Sequence, residues 1–114
     1  MSVKLMNRQV GDVIVIDAQG RITLGEGSST FRDSIRDLVT SGNKKLLLNL
    51  ADVSYIDSSG IGEMVSSYTT VTNAGGQMKL LNLTKRVQDL LQITKLYTIF
   101  ECFDDEAKAA VSFK

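Results

Sequence analysis

Hydrophobic residues along this chain switch between two spacings, and the order of the switches leaves few folds open. Val3, Leu5 and Val10 lead to a Gly11-Asp12 turn signal, and β-branched Val13, Ile14, Val15 and Ile16 follow, so the first two elements read as a β-hairpin. Beyond Gly20 the period lengthens. Phe31, Ile35, Leu38 and Val39 fall at i, i+4, i+7 and i+8, with Arg32, Asp33, Arg36 and Asp37 on the other face, which predicts an amphipathic helix. Ser28 or Ser29 is expected to cap it, and Gly42 to end it. Lys45–Leu50 reads as a strand covered on both faces, because Leu46, Leu47 and Leu48 run without a polar break. After a connecting segment, Ala51–Asp57, a second helix carries Ile61, Met64, Val65, Tyr68 and Val71 as a core stripe and closes at Gly75-Gly76. Met78–Leu83 is the next strand. Thr84 is placed to cap a third helix with Val87, Leu90 and Leu91, Ile99–Phe103 is a short strand, and Asp104 opens a terminal helix through Ala107, Ala110 and Val111. The order β-β-α-β-α-β-α-β-α predicts an α/β fold with a mostly parallel or mixed sheet.

The chain has 114 residues and shows no linker, repeat or low-complexity tract, so it is expected to form one domain spanning residues 1–114. The absence of histidine excludes a His-dependent nucleophile, a His-bearing zinc site and an imidazole proton shuttle. A single cysteine cannot close an internal disulfide, and no cofactor is implied. Thirteen basic residues balance thirteen acidic ones, which argues against nucleic acid or an anionic membrane as the main partner. Apolar runs such as Val13–Ile16 are too short to span a bilayer, and the N-terminus lacks the apolar core of a secretory signal; the expected location is cytoplasmic.

In such sheets, sites gather at strand-to-helix turns, where free N–H groups at a helix start meet solvent. The turn to inspect is Tyr55-Ile56-Asp57-Ser58-Ser59-Gly60-Ile61-Gly62. Asp57 and Ser58 are both good capping types, and the glycines would let the helix pack closely on the sheet. Two adjacent hydroxyls and two glycines exceed what capping requires, and a serine at a helix start is an exposed phosphoryl acceptor. A phosphate there carries roughly −1.5 to −2 charges and is favoured by the helix dipole. Asp57 is assigned to capping and local polarity rather than to general-base work. Ser59 is the rival acceptor. Gly60 and Gly62 suit the approach of a partner surface as well as they suit packing.

The run from Leu48 to Gly62, with Asp57-Ser58-Ser59-Gly60-Ile61-Gly62 at its core, resembles the signature of bacterial anti-sigma factor antagonists. These are the STAS domains, named for sulfate transporters and anti-sigma factor antagonists. Gly20-Arg21-Ile22, the Gly75-Gly76 turn and Ile93-Thr94-Lys95-Leu96-Tyr97 extend the resemblance over essentially the whole chain. It implies a four- to five-stranded mixed sheet with about four helices mainly on one face. It implies partner switching: a serine kinase that doubles as an anti-sigma factor phosphorylates Ser58, and a PP2C-type phosphatase resets it. The unphosphorylated protein, a monomer or weak dimer, would bind the kinase and free the sigma factor. Thr23, Asp57, Ser58, Ser59, Gly60 and Gly62 would then face the partner. At Thr23 many members carry an acidic residue, whereas threonine brings a hydrogen-bonding group and no charge.

Other segments carry weaker readings. Gly25-Glu26-Gly27-Ser28-Ser29 reads as an ordinary capped loop without the lysine of a P-loop, Cys102 as a small buried hydrophobe, and the pairs Lys44-Lys45 and Lys85-Arg86 as solvated surface. Two other functions stay open from the residues: a scaffold subunit of a larger signalling assembly, and a ligand-binding or transport-associated domain with an anion site at the Gly25–Ser29 loop and the Ser58 turn.

Overall fold

A computed structural model describes residues 3–23 and 26–113 of the chain. Its elements are β1 (Val3–Val10), β2 (Val13–Ile22), α1 (Glu26–Thr40), β3 (Lys45–Ile56), α2 (Ser58–Asn73), β4 (Gln77–Leu81), α3 (Lys85–Ile93), a 3-10 turn (Leu96–Thr98), β5 (Cys102–Phe103) and α4 (Glu106–Ser112). The five strands lie in sequence order. β1 and β2 form the expected antiparallel hairpin, with Val10 opposite Val13, and every later pairing is parallel, which makes the sheet mixed.

The unbroken leucines of β3 explain the layering. Leu46, Leu48 and Leu50 point into the larger core, where they meet Phe31 and Ile35 of α1, Ile61, Met64 and Val71 of α2, and Val87 and Leu91 of α3. Leu47 points the other way, into a smaller cluster with Val13, Val15, Leu81, Ala109 and Phe113, which is covered by α4. Three helices thus share one face and one short helix takes the other. Each leucine fully withdrawn from water contributes about 1.5–3 kcal/mol, so β3 is the strand on which both layers depend. Buried Lys79 ties α4 down on its face. Its Nζ donates to the Ser112 carbonyl at 3.0 Å and to Ser112 Oγ at 2.9 Å, and it sits 4.8 Å from the centre of the Phe113 ring.

β3 does not stop at Leu50 as its sequence suggests but runs to Ile56. Its register against β2 slips twice, between Asp17 and Gln19 and between Gly20 and Arg21, where β3 inserts an extra residue each time. Each β-bulge shifts the alternation by one residue, so Val53 and then Ile56 turn back to the core face although they are not two and four residues beyond Leu50. The strand therefore ends with Arg21 beside Tyr55 and Ile22 beside Ile56, immediately before the Asp57 turn.

Other boundaries move for local reasons. Ser28 and Ser29 lie inside α1, which already begins at Glu26, so neither caps it. The strand expected over Ile99–Phe103 shrinks to Cys102–Phe103, because residues 96–98 form a 3-10 turn. Asp105, rather than Asp104, caps α4, accepting from the Lys108 N–H at 3.1 Å. Thr84 caps α3 as expected, and Gly42 and Gly75 take the positive φ of helix-terminating glycines.

Candidate functional site

The Asp57 turn is held from three sides. Asp57 is the N-cap of α2: its backbone is extended, its Oδ1 accepts from the Gly60 N–H at 2.9 Å, and its carbonyl accepts from the Ile61 N–H at 3.0 Å. Its own N–H donates to the Ile22 carbonyl at 3.4 Å, which links the turn to the end of β2. Thr23 follows Ile22 directly, so this hydrogen bond joins the chain at the end of β2 to the β3–α2 junction although 34 residues separate Thr23 from Asp57. A cap of this kind is worth about 1 kcal/mol.

Ser58 is the first residue of α2 and is exposed, whereas Ser59 is half-buried. Among the described residues, neither hydroxyl has a side-chain hydrogen-bond partner. The first turn of α2 contains no acidic residue, and its N–H groups point toward the same end as the Ser58 side chain's attachment, so negative charge on Ser58 would meet the positive end of the helix.

The two glycines divide. A Cβ on Gly60 would overlap the Ile22 carbonyl oxygen and approach Ile56 Cγ1 to 2.7 Å. Gly60 is buried and lets α2 start hard against the sheet; it supports the site from beneath and offers no surface to a partner. Gly62 is exposed, and a Cβ there would meet nothing within 4 Å. Packing therefore gives no reason for glycine at 62, one helical turn beyond Ser58 on the outer face.

Cys102 and the Gly25–Ser29 segment differ from their sequence readings, and Arg86 adds contacts to its own. Cys102 is exposed at an open groove shared with Asn82, Thr84 and Gln88 rather than buried as a small hydrophobe, because β5 is only two residues long and lies at the sheet edge. Desolvation of its sulfur, with Glu101 adjacent, still pushes the thiol pKa up and disfavours the reactive thiolate. Arg86 is exposed, as its sequence suggests, yet it is also anchored: its Nε donates to the Ile56 carbonyl at 3.3 Å, and its guanidinium carbon lies 4.6 Å from the centre of the Tyr55 ring. Sequence gave no sign of this contact, since Tyr55 and Arg86 meet only through the crossover from β3 to α3. In the Gly25–Ser29 segment, read as a loop, residues from Glu26 onward are helical and Gly25 lies outside the described residues.

Comparison with known proteins agrees with this architecture. The model of the STAS domain matches residues 4–109. The anti-sigma-B factor antagonist of Bacillus subtilis (strain 168) is 32% identical over 101 residues, covering 89% of this chain and 91% of that protein. The crystal structure of TM1081 from Thermotoga maritima superposes with a TM-score of 0.88 at 24% identity, covering 96% of this chain and 93% of that one. SpoIIAA, a Bacillus cell fate determinant, superposes in its phosphorylated form with a TM-score of 0.75 at 20% identity, covering 96% of this chain and 98% of that one. At those identities the two structures establish the fold, while the family match and the Bacillus subtilis relative establish the lineage. The chain belongs to the STAS domain family.

Proposed function

We propose that this protein is an anti-sigma factor antagonist that works by partner switching. In its unphosphorylated form it binds a serine kinase that is also an anti-sigma factor, and the sigma factor is released. Phosphorylation of Ser58 ends that complex, and a PP2C-type phosphatase restores the starting state. The observation that carries the reading is an exposed Ser58 at the first position of α2, directly after the capping Asp57, whose N–H is bonded to the end of β2. The relationship to the anti-sigma-B factor antagonist supports it over the scaffold and transport-associated readings.

The chemistry of transfer belongs to the partner. A serine hydroxyl needs a γ-phosphoryl group held in line, Mg²⁺ to spread the developing charge, and a base for its proton. Asp57 is engaged by the Gly60 N–H, which aims that carboxylate along the first turn of the helix. The kinase therefore supplies nucleotide, metal and base, and this chain serves as substrate and ligand in the cytoplasm, as a monomer or weak dimer. Thr23, Ser58, Ser59 and Gly62 form the surface that docks, with Asp57 and Gly60 setting its shape.

Incubation with the cognate kinase and ATP, followed by mapping of the modified residue, tests the assignment. Ser58→Ala should fold normally, resist labelling and retain the kinase in the presence of ATP. Phosphate mapped to Ser59 would move the acceptor, and an unphosphorylated chain that fails to bind any anti-sigma kinase would overturn the function.

A further inference from the structure

Two guanidinium groups stand on one aromatic ring next to the Ser58 turn. The guanidinium carbons of Arg21 and Arg86 lie 4.9 Å and 4.6 Å from the centre of Tyr55. Arg21 and Tyr55 are cross-strand partners at the ends of β2 and β3, on the face opposite buried Ile22 and Ile56. Arg86 reaches the same ring from the first turn of α3. Each stack is worth about 0.5–1 kcal/mol at an exposed site, so one ring anchors both cations without neutralising either. Neither forms an ion pair with a described residue, a state they share with Lys4, Arg36, Lys44, Lys95 and Lys108, but among the described residues only these two arginines stack on one ring. Two positive charges on one ring, left without a carboxylate, make a standing site for an anion.

Position identifies which anion. Arg86 is bonded to the carbonyl of Ile56, two residues before Ser58, and two residues of chain span at most about 7 Å. Arg21 immediately precedes Ile22, whose carbonyl holds the Asp57 N–H. Among the described residues, Asp57 is occupied by the Gly60 N–H, and Lys85 is paired with Asp89 at 3.7 Å. Planar, forked donors suit a phosphomonoester dianion, which accepts two N–H bonds side by side.

We propose that Arg21, Tyr55 and Arg86 form a bracket that binds the phosphoryl group carried by Ser58 after modification. The inference rests on Ser58 being the acceptor. The bracket fixes the dianion at the end of the sheet, so that a partner meets an oriented phosphate rather than a freely rotating one.

The test uses the full chain with phosphoserine installed at position 58 during synthesis, which makes it independent of any kinase. The ³¹P resonance is titrated with pH in the otherwise unaltered chain and in an Arg21→Gln, Arg86→Gln double variant. The bracket favours the dianion, so the double variant should titrate higher by about half a pH unit or more. A Lys44→Gln, Lys108→Gln variant, with the same loss of charge away from the bracket, should leave the titration in place. Superimposable curves for the phosphoserine chain and the arginine variant would overturn the bracket, as would an equal shift in the lysine variant. Should the kinase label a residue other than Ser58, the acceptor assignment fails, and that result is read separately from the titration.

Discussion

At the scale of single residues, the Gly60–Gly62 pair separates what the fold needs from what the surface offers. Sequence alone treats both glycines alike, because nothing in the string tells which one faces the Ile22 carbonyl. Gly60→Ala must push a methyl group into backbone that cannot move without disturbing the Asp57 cap. A loss of roughly 1–3 kcal/mol is expected, read as a lower denaturant midpoint in chemical unfolding. Gly62→Ala meets open space on a helix and replaces the more flexible residue, so stability should rise by about 0.5–1 kcal/mol. If Gly62 serves the approach of the kinase, the same variant binds it more weakly while being more stable. A Gly62→Ala chain that gains stability and binds unchanged would remove Gly62 from the docking surface.

At the scale of elements, Arg8 joins three of them. From β1 its Nε donates to Asp17 Oδ2 of β2 at 2.6 Å, and its guanidinium also reaches the Glu106 carboxylate at the start of α4. Both carboxylates are held below their usual pKa, first of all by the hydrogen bond from Arg8, with Asn49 assisting at Asp17. Because the folded pKa values lie below the unfolded ones, this stabilisation is complete above the ordinary carboxylate range, roughly pH 5 and higher. It disappears as pH falls through the lowered folded values. Arg8→Gln should lower the unfolding midpoint at pH 7 by an amount corresponding to about 1 kcal/mol or less, since the pair is partly exposed. It should also shrink the difference in thermal stability between pH 7 and pH 3; an unchanged difference would show that Arg8 does not set those carboxylates. This three-way tie was invisible in the sequence, as Arg8 and Glu106 are 98 positions apart. What was legible is local or periodic: the hairpin at Gly11-Asp12, the amphipathic stripe of α1, the Thr84 and Asp57 caps. What was not legible came from pairing between strands. The end of β3 looked like a connecting segment because two bulges break its alternation, and the Tyr55–Arg86 contact needed the crossover that carries the chain from β3 to α3.

At the scale of the whole molecule, charge balance makes a single modification conspicuous. Thirteen positive and thirteen negative residues give a formal charge of zero, and one phosphoryl group moves the chain to about −2. That charge would arrive on a helix with almost none of its own. Glu63 is the sole charged residue of α2, and it is paired with Arg32 at 2.9 Å, while Ser58, Gly62 and Ser66 lie exposed along one stripe at four-residue intervals. A partner shaped to an uncharged stripe would have to strip water from the dianion on docking, which costs far more than the helix dipole returns. The fold itself has no reason to change, because the modified end of α2 is exposed and its N–H groups favour the charge. Phosphoserine at 58 should therefore leave the radius of gyration near the 12.6 Å of the Cα trace and shift the thermal midpoint by no more than about 3 °C, while lowering kinase affinity at least tenfold. Scattering, calorimetry and a binding titration on the same phosphorylated sample would check all three. Expansion or a large loss of stability would mean that release works by unfolding the α2 start. Unchanged dimensions with lost affinity would place the switch in the surface alone.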